Sequence, residues 1–160
     1  MQVAKKHFFT LIEILVVFTL LASLGTVVVI SFQRMVEEQR FYSDVRHLKN
    51  QLQFSADLMW LFDADVTFEL TLDGSLHALE GRIQVEKPLE PFWKKLVEQR
   101  VVFSSIASLV FEGKAVSSQK ILFSLGRISQ GRLEVMSRKG GKKAWIDLPG
   151  YPTALVPVYS

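Results

Sequence analysis

The chain of 160 residues has room for one compact domain plus one extra element, and not for two domains with separate cores. It contains no cysteine, which excludes a disulfide framework, a thiolate metal site and a cysteine nucleophile. The net charge is +3, unevenly spread: residues 34–98 hold eight basic and twelve acidic side chains, residues 99–160 nine basic and three acidic. The C-terminal part is therefore the basic one.

An almost unbroken apolar run extends from Phe8 to Phe32, and residues 14–32 carry neither charge nor proline. About 20 apolar residues let an α-helix cross about 30 Å of hydrocarbon, so this segment is predicted to span a membrane once. Lys5 and Lys6 precede it, and the positive-inside tendency puts the N-terminus in the cytoplasm and everything after Phe32 on the far side. A cleavable secretory signal is the rival reading, but the run is long and Ala22-Ser23-Leu24 is not a small-x-small site. Glu13 does not suit a plain anchor. An acidic group at mid-bilayer costs roughly 2.5–3.5 kcal/mol and usually has a partner. Either Glu13 marks the helix start at headgroup level, or a partner is supplied from elsewhere.

The stretch Lys5-Lys6-His7-Phe8-Phe9-Thr10-Leu11-Ile12-Glu13-Ile14-Leu15 closely resembles the class III signal of type IV prepilins and type II secretion pseudopilins, with Phe9-Thr10-Leu11-Ile12-Glu13 as the family core. The resemblance covers roughly residues 5–35. It implies a leader of residues 1–8, cut between Phe8 and Phe9 by a prepilin peptidase that then N-methylates Phe9. It also implies that Glu13, fifth in the mature chain, meets the terminal ammonium of a neighbouring subunit during assembly. Other pilin-like subunits, the peptidase and an inner-membrane assembly platform are the implied partners. The implied location is the inner membrane, with a periplasmic C-terminal domain, and then a pseudopilus. One residue departs from the family: glycine or another small residue normally precedes the cut, and here it is Phe8, a side chain expected to fit the peptidase poorly and slow processing.

Residues 9–32 are thus read as the transmembrane and assembly helix, and residues 33–60 as its amphipathic continuation, since no proline occurs before Pro88 and no glycine between Gly25 and Gly74. Phe41, Val45, Leu48, Leu52, Ala56 and Met59 recur at spacings of three and four and form one face. Glu38, Arg40, Asp44, Arg46, Lys49 and Gln53 lie opposite. The apolar stripe predicts a surface on which a sheet packs, with a coiled-coil seam as the lesser alternative.

From Val66 the period changes to two, with a turn at Asp73-Gly74, which reads as a strand entering a hairpin. Residues 82–86 alternate again. Pro88 and Pro91 break the pattern before 92–99, a short helix or extended loop. Further strands are predicted at 101–103, 109–112, 121–125, 132–137 and 144–148, with a tight turn at Gly140-Gly141. Pro149, Pro152 and Pro157 should keep the tail irregular or on a sheet edge. The predicted class is α+β: a long helix packed on an antiparallel β-rich domain, residues 61–160, in a pilin-like arrangement.

No catalytic constellation is present. His7, His47 and His77 are scattered, without metal-ligand spacing. Gly126 to Gly131 has the glycine spacing of a phosphate loop, but Arg132-Leu133 stands where Lys and Ser/Thr are required, so it reads as a turn between strands. Neither an enzyme nor a cofactor is expected. The remaining feature is Arg138, Lys139, Lys142 and Lys143 around Gly140-Gly141, a basic hairpin tip. It serves either as a solvated turn or as a contact for DNA phosphates or an acidic neighbouring subunit. The expected function is a minor pseudopilin of a type II secretion pseudopilus supporting protein export. The alternatives are a minor type IV or competence pilin touching DNA or a surface, and a plain single-pass anchored protein.

Overall fold

A computed structural model describes residues 10–74, 78–124, 126–139, 141–150 and 157–159. One helix, α1, runs over Leu11–Phe62. It passes through two compact units, Met1–Val36 and Glu37–Ser160, which are described in turn. In the first unit α1 is the only element among the described residues, and its apolar side chains from Leu11 to Phe32 that are described are exposed. Among the described residues α1 is the one helix long and apolar enough to cross a membrane.

In the second unit the helix buries the predicted stripe: Phe41, Val45, Leu48, Leu52, Ala56 and Met59 all lie in the core, joined by Leu58. Ser55, also buried, gives its hydroxyl to the Gln51 carbonyl at 2.8 Å, so the helix itself satisfies this buried polar group. The helix ends two residues beyond the predicted Trp60. Asp63 takes a left-handed conformation, φ 47°, and the Ala64 N–H reaches back to the Met59 carbonyl at 3.4 Å. That is a Schellman stop, with aspartate in place of the usual glycine.

Among the described residues ten strands form two five-stranded antiparallel sheets where the sequence suggests one. The first contains β1 (Val66–Asp73), β2 (Ala78–Val85), β3 (Val101–Phe103), β6 (Ser118–Ser124) and β7 (Arg127–Ile128), in the order β3-β2-β1-β6-β7. The second contains β4 (Ile106–Phe111), β5 (Lys114–Ala115), β8 (Gly131–Ser137), β9 (Lys143–Leu148) and β10 (Pro157–Tyr159), in the order β10-β9-β8-β4-β5. Both sheets and the α1 stripe contribute to one core. The chain passes between the sheets three times, at β3–β4, β5–β6 and β7–β8, and the first of these crossings is the turn at Ser104-Ser105. Alternation alone cannot reveal such a switch.

Asp44 holds that corner. The periodicity put Asp44 on the solvent face, yet it accepts the Ser105 N–H at 2.9 Å and the Ser105 hydroxyl at 2.6 Å. The segment after Pro91, left open between helix and loop, is a helix, α2 (Pro91–Val97), with proline in its first turn and Val97 buried. Trp93 stacks edge-on against Phe62 at 5.6 Å. Gly126 to Gly131 is the predicted connection between strands: Gly126 turns with φ 81° into β7, and Gly131 opens β8. Pro157 begins the edge strand β10, a place where its missing N–H is tolerated.

Candidate functional site

Two places bear on function. The first is the start of α1. Thr10 precedes the helix, and its N–H and hydroxyl both reach Glu13 Oε2, at 2.9 and 3.1 Å, while the Glu13 N–H returns to the Thr10 hydroxyl at 3.3 Å. This is a capping box, with Thr as N-cap and Glu three residues on, satisfying helix-end donors reciprocally. The signal was in the sequence as Thr-x-x-Glu before an apolar run, and reading Glu13 only as a charge in lipid misses it. The carboxylate also sits where the helix dipole favours negative charge. Around it Leu11 is 85% and Ile12 70% exposed, so the carboxyl group stands on an apolar surface that no other described residue covers. Lys5, Lys6, Phe8 and Phe9, and with them the leader cut and the methylation site, lie outside the described residues.

No protein-family model, curated protein or solved structure matches this chain.

The second place is the β8–β9 hairpin tip, which lies close to the beginning of the second unit's helix. Lys139 Nζ is 2.8 Å from Glu37 Oε1, Lys142 Nζ 2.9 Å from Glu38 Oε1, and Lys143 Nζ 3.2 Å from Glu134 Oε1. The Arg138 N–H donates to the Ser105 carbonyl at 2.9 Å, and the Ser137 N–H closes the hairpin on the Lys142 carbonyl at 2.8 Å. The tip is therefore a latch onto α1, and each of its three lysines already has a carboxylate partner. Glycine 140, part of the predicted turn, lies outside the described residues.

The latch titrates at both ends. The Lys142 ammonium, followed by the Tyr42 hydroxyl at 3.1 Å, holds the Glu38 carboxyl below the usual range, and Glu38 in turn raises Lys142. A lowered carboxylate contributes stability above its unfolded value, near 4.3, that is lost as pH falls through the folded value. A raised lysine contributes stability below its unfolded value, near 10.4, that is lost as pH rises through the folded one. The latch should thus hold between about pH 5 and pH 10. A carbon-13 titration of the Glu38 carboxyl is expected to give a midpoint below that of an ordinary glutamate, and Lys142→Ala should move it upward. An unchanged midpoint in the variant would mean that the pair is not formed in solution.

Among the described residues no group of three or more His, Asp or Glu side chains is placed to hold a metal ion. His47 instead packs edge-on against Phe103, ring centroids 5.8 Å apart, and reaches Gln51 at 3.5 Å.

Proposed function

We propose that this chain is a structural subunit of a pilin-type filament, and within that class a minor pseudopilin of a type II secretion pseudopilus. On this reading it is anchored in the inner membrane by α1, matured by a prepilin peptidase and assembled through Glu13. The observation that carries the reading is an acidic N3 residue on a mostly apolar helical segment whose described side chains are exposed, set in the motif Phe9-Thr10-Leu11-Ile12-Glu13. An anchor needs the apolar surface but has no use for the charge. An assembly helix uses both, because lipid contacts in the membrane are exchanged for contacts with neighbouring helices and the carboxylate gains a cation. The domain, with ten strands among the described residues, is of the size and β-content that resemble minor rather than major pseudopilins. A DNA-contacting minor pilin draws less support, since Lys139, Lys142 and Lys143 are engaged with Glu37, Glu38 and Glu134.

The test is coexpression with a prepilin peptidase, followed by mass analysis of the membrane-extracted chain and of sheared filaments. The expected product begins with N-methylated Phe9 and appears in the filament fraction. Phe8→Gly is expected to raise the processed fraction. A chain that keeps residues 1–8 in both forms and never leaves the membrane fraction would overturn the proposal.

A further inference from the structure

Beside the latch lies an open pocket of about 130 Å³ lined by Glu37, Arg40, Ser104, Ser137, Arg138 and Lys139, together with the Ser105 turn. Three cationic side chains face one carboxylate there, and serine hydroxyls fill the wall between them. Its composition is that of an oxyanion site: guanidinium groups offer paired N–H donors to phosphate oxygens, an ammonium adds a point charge, and hydroxyls complete the shell. The volume is ample beside what one ordered water requires, and small beside a nucleic-acid groove. Ser105 is not a free donor, since its hydroxyl is given to Asp44 at 2.6 Å, and the Ser137 hydroxyl is given to the Lys139 carbonyl at 2.8 Å. The donors left to a ligand are the Arg40 guanidinium and the Ser104 hydroxyl, with Lys139 shared between the ligand and Glu37.

We propose that this pocket binds a phosphate-type oxyanion through Arg40, Lys139 and Ser104, with Glu37 as the internal competitor that holds Lys139 when the site is vacant. Two sources of that chemistry are open to it, a lipid headgroup phosphate and a soluble phosphate. Glu37 follows Phe32, the last residue of the apolar run, by five positions in the sequence, so a membrane-spanning run would leave Glu37 and Arg40 a few residues beyond the hydrocarbon, on the headgroup side. The headgroup source rests on the membrane-spanning reading of the helix, whereas phosphate binding does not.

The experiment uses the full chain in a neutral detergent, titrated with inorganic phosphate by calorimetry. Saturable binding is expected in the wild type. Arg40→Gln, a change at an exposed side chain, should weaken it at least about tenfold through loss of a charge-assisted pair. Glu37→Gln should tighten it, because the competing charge is gone and Lys139 is released. Opposite signs from two neighbouring charge-to-amide changes separate a site from general misfolding, and an unshifted thermal transition in each variant checks the fold directly. Absence of saturable phosphate binding in the wild type, or equal binding in all three proteins, would overturn the proposal. A short-chain phosphatidylglycerol is then added below its micelle concentration. Displacement of phosphate assigns the site to a lipid headgroup; no displacement keeps the site and assigns it to a soluble oxyanion. Alkaline extraction of membranes, scored separately, reports whether the helix is inserted, so failure of the anchor and failure of the pocket are told apart.

Discussion

Replacing Glu13 by Leu is expected to reduce incorporation into filaments at least about tenfold while leaving membrane insertion intact. Two interactions are removed. Within the subunit, the reciprocal bonds with Thr10 are lost, at a cost of about 0.5–2 kcal/mol to the helix start. Between subunits, if the chain assembles as proposed, the variant would also lack the carboxylate that meets a neighbour's terminal ammonium, a pairing worth about 4 kcal/mol at 4 Å and an effective dielectric near 20. Insertion itself is not harmed, because a leucine in an apolar run costs less than a carboxylate. Glu13→Gln separates the terms. Glutamine also serves in a capping box, so it keeps the cap and removes only the charge. If both variants vanish from sheared filaments yet resist alkaline extraction from membranes, the charge drives assembly. If Glu13→Gln assembles normally, the residue is a cap and the pairing argument falls.

The largest effect on stability is expected in the first sheet, at Phe68 and Gly81. Phe68 is fully buried on β1, and on β2 a Cβ added at Gly81 would lie 2.7 Å from Phe68 Cζ and 3.2 Å from Phe103 Cε2. The ring occupies the volume that a side chain at 81 would need. Phe68→Ala should cost about 3–5 kcal/mol by emptying it, and Gly81→Ala about 1–3 kcal/mol by overfilling it. The two sites share one space, so their effects should not add. Gly81→Ala combined with Phe68→Leu is expected to lose less stability than Gly81→Ala and Phe68→Leu lose separately when summed. Thermal unfolding of the full chain in detergent, followed by tryptophan fluorescence, measures these three variants, Phe68→Ala and the wild type. Strict additivity would mean that the ring moves aside at no cost.

The same pair shows what could be read from the sequence. The α1 stripe was legible because each inward position is a large apolar residue at helical spacing, and β1 because Val66, Phe68 and Leu70 alternate cleanly. The strand β2 was placed four residues late, at Arg82 rather than Ala78, because its inward position 81 is glycine and breaks the alternation. Nothing local says that a distant ring fills the gap. Likewise β5 and β7, of two residues each, are too short to carry a period, and the first crossing between the sheets is a corner held by Asp44, sixty-one residues away from Ser105. At the candidate sites, Thr10-x-x-Glu13 was open to reading as a cap, whereas the carboxylate partners of the hairpin lysines were not. Glu37 and Glu38 lie about a hundred residues upstream, and the ion pairs are a product of the fold.

The strand order of the first sheet also sets when this domain can form during synthesis. β1 is central and holds β2, its neighbour in sequence, on one side, but its other partner is β6, which ends at Ser124. The core that receives the α1 face, finished by Met59, is complete only when β6 and then β8 and β9 are in place. At about 5–20 residues per second, the interval between residues 59 and 124 is several seconds in which Phe41, Val45, Leu48 and Leu52 lack their full cover. The nascent chain therefore presents a second greasy surface behind its N-terminal apolar run, and that surface stays partly open until the late strands arrive.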